Sequence, residues 1–209
     1  MTNLNPKNKQ LSVFDTFSAN SLKLLEKDVE EFKLKYIENL YFAPDNKKAK
    51  AGQNLHNFLC FYLKNFDTSK IETSLAQKDR EFIEKIKEFD EIQSLKQADK
   101  KYIEQPFLIK CTTDIMPVFY LTGRFDAVLI KEDKVQIYDW KTLNIPKDPE
   151  NDIQTIVYLY CASKLYKSYE TQNISITYIS LTKNESIEIK YNNTYGYFEK
   201  ITSLISKIL

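Results

Sequence analysis

The sequence predicts a mixed α/β fold, with helices first and then a run of strands that has one helix set into it. Three observations carry this. Apolar residues recur at three- and four-residue steps through the first hundred positions. From about residue 102 to 142 the chain turns to β-branched and aromatic residues with period-two stretches. A helical segment then separates this run from two further strand-like segments. The resulting order is helices, three strands, a helix, two strands and a helix, which builds a sheet covered by helices.

Residues 17–36 read as one helix, with Leu22, Leu25, Val29, Phe32 and Tyr36 as its apolar stripe and Ser18 to Ser21 offering capping oxygens. Residues 50–65 read as a second, with Leu55, Phe58, Leu59 and Tyr62 on one face. A charge-rich third stretch spans 69–96 and spaces Phe82, Ile83, Ile86, Phe89 and Ile92 for packing. Strands are expected at 102–112, 118–130 and 134–141. Pro146, Asp148 and Pro149 mark a turn into a helix that runs to about 166, with Asp148 as N-cap and Pro149 in the first helical position. Strands near 174–181 and 186–191 follow, then a closing helix from about 195. No internal repeat or low-complexity segment interrupts the order.

A chain of 209 residues suits one domain, 1–209, with residues 1–100 as its mainly helical part and 101–209 as its sheet-containing core. Only three Gly and six Pro argue against long linkers. A net charge of +1 argues against a nonspecific basic DNA-coating protein but leaves room for a local basic groove. Cys60, Cys111 and Cys161 are odd in number and have no CxxC spacing, which argues against a disulfide framework or a zinc ribbon. Residues 1–10 are polar, without the apolar region of a signal peptide, and no apolar run approaches the roughly 20 residues of a membrane span. A reducing, cytoplasmic setting is the resulting expectation.

The chemistry concentrates in Gly123-Arg124-Phe125-Asp126-Ala127-Val128 and Tyr138-Asp139-Trp140-Lys141-Thr142, where two aspartates and a lysine interrupt apolar strands. Buried strands seldom carry charges without a reason. A hairpin turning at Glu132-Asp133 places Lys131 opposite Lys134 and Asp126 directly opposite Asp139, with Cβ atoms roughly 4.5–5.5 Å apart. Glu-Asp is not a favoured two-residue turn, so the register is the weakest link. Period two sets Lys141 on the same face as Asp139. Two carboxylates this close repel unless one takes up a proton or a cation lies between them. Oxygen ligands suit Mg²⁺ or Mn²⁺, which generate a nucleophilic water for phosphodiester hydrolysis. Lys141 is then placed to orient that water or to meet charge on the phosphate. For a lone Asp-x-Lys the plainer reading is a structural ion pair on a solvent-facing strand. His56, the single histidine, follows Gly52 on a helix, where such a residue is more often packed or at the surface. Gln154 and Tyr158 are four apart and share a helix face, as ordinary surface residues also do.

Together these elements resemble the RecB-type branch of the PD-(D/E)XK nuclease superfamily. That pattern runs Gly-x-x-x-His, Gly-x-x-Asp, Asp-x-Lys-Thr, Gln-x-x-x-Tyr, and the chain supplies Gly52 to His56, Gly123 to Asp126, Asp139 to Thr142 and Gln154 to Tyr158 in order. The Glu104-Gln105-Pro106-Phe107 segment is similar to the family strand before Gly-x-x-Asp, and Phe17 to Leu22 with Phe32 and Tyr36 is similar to the opening helix. The resemblance covers about residues 17–181. It implies a restriction-endonuclease-like αβββαβ core with a central mixed sheet flanked by helices. It also implies a Mg²⁺- or Mn²⁺-dependent nuclease acting on DNA, as single strands or duplex ends, in repair, recombination or defence. His56, Asp126 and Asp139 would be metal ligands, aided by the backbone carbonyl of Trp140, and Lys141 would join Asp126 and Asp139 as the catalytic set. Gln154 and Tyr158 would support the site and touch the nucleic-acid strand.

The chain departs from part of that family. Many relatives, including the CRISPR-adaptation nucleases, hold an iron–sulfur cluster on four cysteines, one of them in a Cys-Pro pair in the opening helix. Asp28-Val29 stands at that place here and the C-terminal cysteine triplet is missing, so no iron–sulfur cluster is expected. No helicase motif is present, which makes a helicase, or another repair or defence protein, a partner rather than a part. Membrane association is not expected. The alternatives are a catalytically inactive relative that binds nucleic acid or protein, and an unrelated α/β interaction domain with a chance motif. The intact Asp126, Asp139 and Lys141 count against inactivity.

Overall fold

The β-rich segments form one mixed sheet, and the helices cover both of its faces. The computed structural model describes residues 14–40, 47–75, 77–192 and 196–208, with backbone alone at 47–53 and 78. Among these residues six strands join: β1 (Thr16–Phe17), β2 (Lys101–Cys111), β3 (Phe119–Lys131), β4 (Lys134–Lys141), β5 (Ile174–Ser180) and β6 (Glu185–Lys190). The mixed α/β class holds, as does the sequence of three strands, a helix, two strands and a helix from residue 101 onward; β1, ahead of all the helices, was not expected. The long β3 organises the sheet. It pairs antiparallel with β2 along most of its length, parallel with β1 at Tyr120 and Leu121, and antiparallel with β4 from Ala127 to Lys131. β1 and β4 therefore share one edge of β3 at opposite ends, and residues 122–126 between them have no ladder partner on that edge. β4 and β5 run parallel, as their connection through a helix requires, and β6 returns antiparallel.

Two apolar layers follow from strand alternation. Val135 and Ile137 of β4 face α1 (Ala19–Lys27), α7 (Ile153–Leu165) and α8 (Tyr197–Ile205). Tyr138 and Trp140 face α3 (Lys47–Leu63), α5 (Gln77–Lys87) and α6 (Asp90–Gln97). Every residue of β5 is buried, as befits a strand covered on both sides. Cys111 and Cys161 lie together in the first layer, where burial and mutual charge push the Cys161 thiol up. Cys60 sits half-buried on α3, on the other face, away from that pair. No helix among the described residues is long and apolar enough to cross a membrane.

Three helical segments depart from the periodicity reading. The first is broken at Asp28, whose extended backbone (φ −155°, ψ 102°) ends α1 and begins α2 (Val29–Phe32). Its carboxylate caps the new helix by accepting from the Glu31 N–H at 2.9 Å, and α2 runs on into a π-helical turn, Lys33–Ile37. Ser18 caps α1 through a reciprocal box with Ser21, so the predicted capping oxygens do serve that end. Phe17 instead belongs to β1, its ring meeting Phe14, Phe32 and Phe119 in an aromatic cluster. The second departure is 69–96, which forms α4 (Ser69–Ser74), α5 and α6 rather than one helix. A straight helix of that span would run roughly 42 Å. The extended breaks at Leu75 and Phe89 fold it back, so that Ile83, Ile86, Ile92 and Leu95 all reach one core. Third, α7 is capped by Asp152, which accepts from the Gln154 N–H at 2.8 Å, and not by Asp148. Asp148 binds the Asn151 amide and Pro149 lies in the preceding turn. The later start places Gln154 in the first helical turn. The closing helix begins at Tyr197; the expected start at 195, like the polar segment 1–10, lies outside the described residues.

Gly123 marks a close approach rather than a turn. It pairs with Phe107 across the β2–β3 ladder, and a Cβ at Gly123 would meet Phe107 Cζ at 2.5 Å. The ring has no room to yield, since it packs on Phe125 at 4.6 Å and edge-on to Tyr158. Gly123→Ala is expected to cost about 1–3 kcal/mol, the range for overpacked cores, lowering the midpoint of thermal unfolding by several degrees. Calorimetry checks this. Phe107→Leu in the same chain should recover part of the loss, and additive losses in the double variant would contradict the steric account.

Candidate active site

The site forms where the regular sheet comes apart. Along β3, Phe119, Leu121 and Phe125 face the α7 layer, but so do Val128 and Ile130, so side-chain alternation slips by one at Asp126-Ala127. Across from this slip the β2–β3 ladder skips the pair Glu104 and Asp126, and Glu104 adopts a left-handed backbone, φ 58°. Such a conformation costs a non-glycine residue about 1–3 kcal/mol and persists where surrounding structure enforces it. On the other edge, the β3–β4 turn at Glu132-Asp133 forms as expected, with Glu132 at φ 55° and Lys131 paired with Lys134. The ladder then stops at Ala127–Tyr138. The regular pairing of Asp126 with Asp139 therefore does not form. Instead Asp126 Oδ2 accepts from the Trp140 N–H at 2.9 Å, and the strands fork around that contact. The N–H and C=O of one strand residue point to one edge. Trp140 thus turns its carbonyl into the fork as well, while Lys141 turns its own to Leu181 on the far edge.

Groups from both helical layers meet through this opening. From α3, His56 Nδ1 lies 3.6 Å from Asp126 Oδ1, an ion-pair separation too long for a hydrogen bond. Glu104 approaches from β2, so that one ligand atom each from His56, Glu104 and Asp126 all lie within 4.8 Å of one another. Glu104 is ion-paired with the exposed Arg124. Burial raises the Glu104 pKa and Asp126 adds to this, against the charges of Arg124 and His56. Burial by itself would lower the imidazole pKa of His56. Contact with Asp126, together with the charges of Asp139 and Glu104, raises it above its ordinary value.

Asp139 projects to the opposite side, toward α7, and is only 4% exposed. Burial, then repulsion from Asp126, pushes its pKa up to about 6, against the opposing pull of Lys141 and His56. Its two oxygens are treated differently. Oδ1 accepts from Gln154 Nε2 at 2.6 Å. Oδ2 lies 2.7 Å from Lys141 Nζ as an ion pair and has no partner besides it. Lys141 Nζ donates to Gln154 Oε1 at 2.8 Å and lies 5.3 Å over the Tyr178 ring. Gln154 therefore joins carboxylate and ammonium. A second ammonium, Lys23 of α1, reaches the same Oε1 at 3.5 Å and pairs with Asp152 at 2.9 Å. One turn along α7, the Tyr158 hydroxyl donates to the Arg124 carbonyl at 3.0 Å, on the stretch of β3 that β4 leaves uncovered. Burial, with the charges of Asp139 and Asp126, raises its pKa, so the phenol stays a donor.

This geometry meets an independent comparison. A family model described as the PD-(D/E)XK nuclease superfamily matches residues 16–207. The chain belongs to that superfamily. No curated protein matches it. Among solved structures, a chain titled "Crystal structure of SSO0001" is similar at 18% identity and a TM-score of 0.49, covering 92% of this chain and 74% of that one. The six-stranded mixed sheet flanked by helices is a restriction-endonuclease-like PD-(D/E)XK core.

The residues present in this superfamily member fit a divalent cation. The ligand atoms of His56, Glu104 and Asp126 lie within 4.8 Å of one another, an imidazole and two carboxylates of the kind such a cation takes. The sequence marks Glu104 only as part of a family-like strand and gives no sign of Lys23. Period two alone puts Glu104 on a regular strand, and only its left-handed backbone turns it to the fork. Lys23 lies far off in sequence, and its proximity depends on how α1 packs on α7.

As the single histidine, His56 reports on the site directly. Folding raises the pKa values of both His56 and Asp139, so the folded chain holds these protons more tightly than the unfolded chain does. Their contribution to metal-free stability is therefore complete at acid pH. It is lost as pH rises through about 6 for Asp139, and through a value above 6.5 for His56. Proton NMR of the metal-free protein should show His56 titrating above 6.5, with Asp126→Asn bringing it down while keeping an acceptor for the Trp140 N–H. Titration at or below 6.5 in both proteins would contradict the pairing.

Proposed function

We propose that the chain is a metal-dependent nuclease that hydrolyses phosphodiester bonds in DNA, a single nuclease domain of RecB type acting on ends or single strands in repair, recombination or defence. The observation that supports this is the meeting of His56, Asp126, Asp139 and Lys141, from α3, β3 and β4, at one fork in the sheet. His56, Asp126 and Asp139 are the proposed ligands of Mg²⁺ or Mn²⁺, with the Trp140 carbonyl and Glu104 beside them. A cation held there lowers the pKa of a bound water and offsets the charge of the phosphodiester.

The chain's own residues do the rest. The Trp140 N–H fixes the orientation of Asp126, leaving Oδ1 toward His56. Gln154 holds one oxygen of Asp139 and leaves the other toward Lys141. Lys141 carries its ammonium in a half-buried position, where a fixed positive charge acts on the charge developing at a phosphate far more strongly than it would in water. Support of the site by Gln154 and Tyr158 rests on their hydrogen bonds; their contact with the nucleic-acid strand is part of the proposal.

Asp139→Ala is expected to abolish Mn²⁺-dependent cleavage of DNA, because a ligand is lost. Lys141→Ala should lower the rate ~10²–10³-fold, the effect of removing one well-placed stabilising group. Gln154→Ala should cost less than either, because an amide positions rather than activates. End-labelled and circular DNA substrates, with circular dichroism as the folding control, provide the measurement. Equal activity in wild type and Asp139→Ala would point to a contaminant. No wild-type activity on any DNA or RNA with Mg²⁺ or Mn²⁺ would leave the inactive-relative reading as the better one.

A further inference from the structure

The edge strand that leads away from the site ends in a basic pocket. β2 runs from Glu104 at the fork to Cys111, and its far half lines a cavity of about 520 Å³ with the C-terminal end of α7 and Phe198 of α8. The charged residues of its wall are Lys110, Lys164 and Lys167, and no carboxylate lines it. Among the described residues none of these three ammonium groups has an ion-pair partner. The chain as a whole balances 30 basic against 29 acidic residues, so this is a local excess held around one concavity. An aromatic pair forms part of the wall. Tyr160 and Phe198 stack at 5.3 Å and 14°, and Lys164 Nζ lies 5.1 Å over the Tyr160 ring. The stacked rings brace the wall, and the three ammonium groups around it suit the phosphates of a polynucleotide strand.

We infer that this cavity is a second nucleic-acid contact, which grips the backbone of the substrate strand at a distance from the scissile bond. The inference rests on the nuclease reading and adds to it a direction for the strand. From Gln154 to Lys164 is roughly 15 Å along α7, and from Glu104 to Lys110 roughly 20 Å along β2. That separation spans roughly four to six phosphates of a stacked strand at 3.4 Å each. Between the two sites, opposite Pro106 of β2, lies the exposed Arg124, whose guanidinium is shared with Glu104. The pocket thus sets a minimum substrate length, below which cleavage proceeds without its help.

The test is the full chain with Lys110, Lys164 and Lys167 each changed to Ala. All three are exposed, so the fold is retained. Binding of fluorescent single-stranded DNA in Ca²⁺, used as a non-cleaving stand-in, is measured against salt. The expected result is about tenfold weaker binding and a salt slope shallower by about two, or roughly 0.7 for each lost phosphate contact. In Mn²⁺, KM should rise on long oligonucleotides with kcat kept, and both should match wild type on oligonucleotides too short to reach the pocket. Replacement of the three lysines by Arg should restore binding. An unchanged slope, or the same loss on short and long strands, would overturn the inference. So would tight, lysine-dependent binding of a mononucleotide or inorganic phosphate, which would make the pocket a free-nucleotide site. Failure of the nuclease reading is distinct: wild type would then cleave nothing, whatever the lysines do to binding.

Discussion

The hydrogen bond from the Trp140 N–H to the Asp126 carboxylate holds open the fork on which the rest of the site depends. A regular hairpin would have continued one pair further and set Asp126 flat against Asp139. Two opposed carboxylates repel, and a charged hydrogen bond to a backbone donor is worth about 1.5–3 kcal/mol. Spending the Trp140 N–H on a side chain ends the ladder there. Ending the ladder leaves a gap in a sheet that otherwise separates two helical layers. His56 from one layer and Asp139, Lys141 and Gln154 from the other can then address the same space.

The cost of that arrangement falls on Asp139, and its neighbours relieve only part of it. A buried carboxylate beside another is expensive, and removing one partner from a buried ion pair typically costs about 3–5 kcal/mol. Lys141 supplies the counter-charge and Gln154 ties both together, with Lys23 and Asp152 extending the network outward. One oxygen of Asp139 has no partner besides Lys141, and Glu104 is held in a left-handed backbone. A left-handed residue, a buried carboxylate and its counter-charge thus meet at one fork, the pattern of a site built for a ligand.

Much of this was legible before any coordinates. The five strands β2 to β6 and the Glu132-Asp133 turn follow from alternation to within a residue or two, because the pleat fixes a period of two; β1 is too short to show one, and the slip within β3 breaks it. Helix ends were less legible. Asp28, Leu75 and Phe89 break what the periodicity joins, because an unbroken apolar stripe records which residues are buried and not whether the chain bends to bury them. Asp148 and Asp152 are both credible caps by type, and packing of Ile153 and Ile156 against the sheet selects the second.

The sequence by itself determined the family, the order of the strands from β2 onward and the cluster of chemistry-bearing residues, since these depend on residue type and spacing along one chain. Gly123 belongs to that legible set, though its reason, the Phe107 ring lying against it, does not. Tertiary structure alone decided the slip in β3, the turn of Glu104 toward His56, the approach of Lys23 to Gln154, and the gathering of Lys110, Lys164 and Lys167 around one cavity. Except for the slip, these bring together residues from elements far apart in the chain, and such contacts are set by how layers pack around a shared core. Local periodicity places a side chain on a face of its own element and carries no information about what stands across from it.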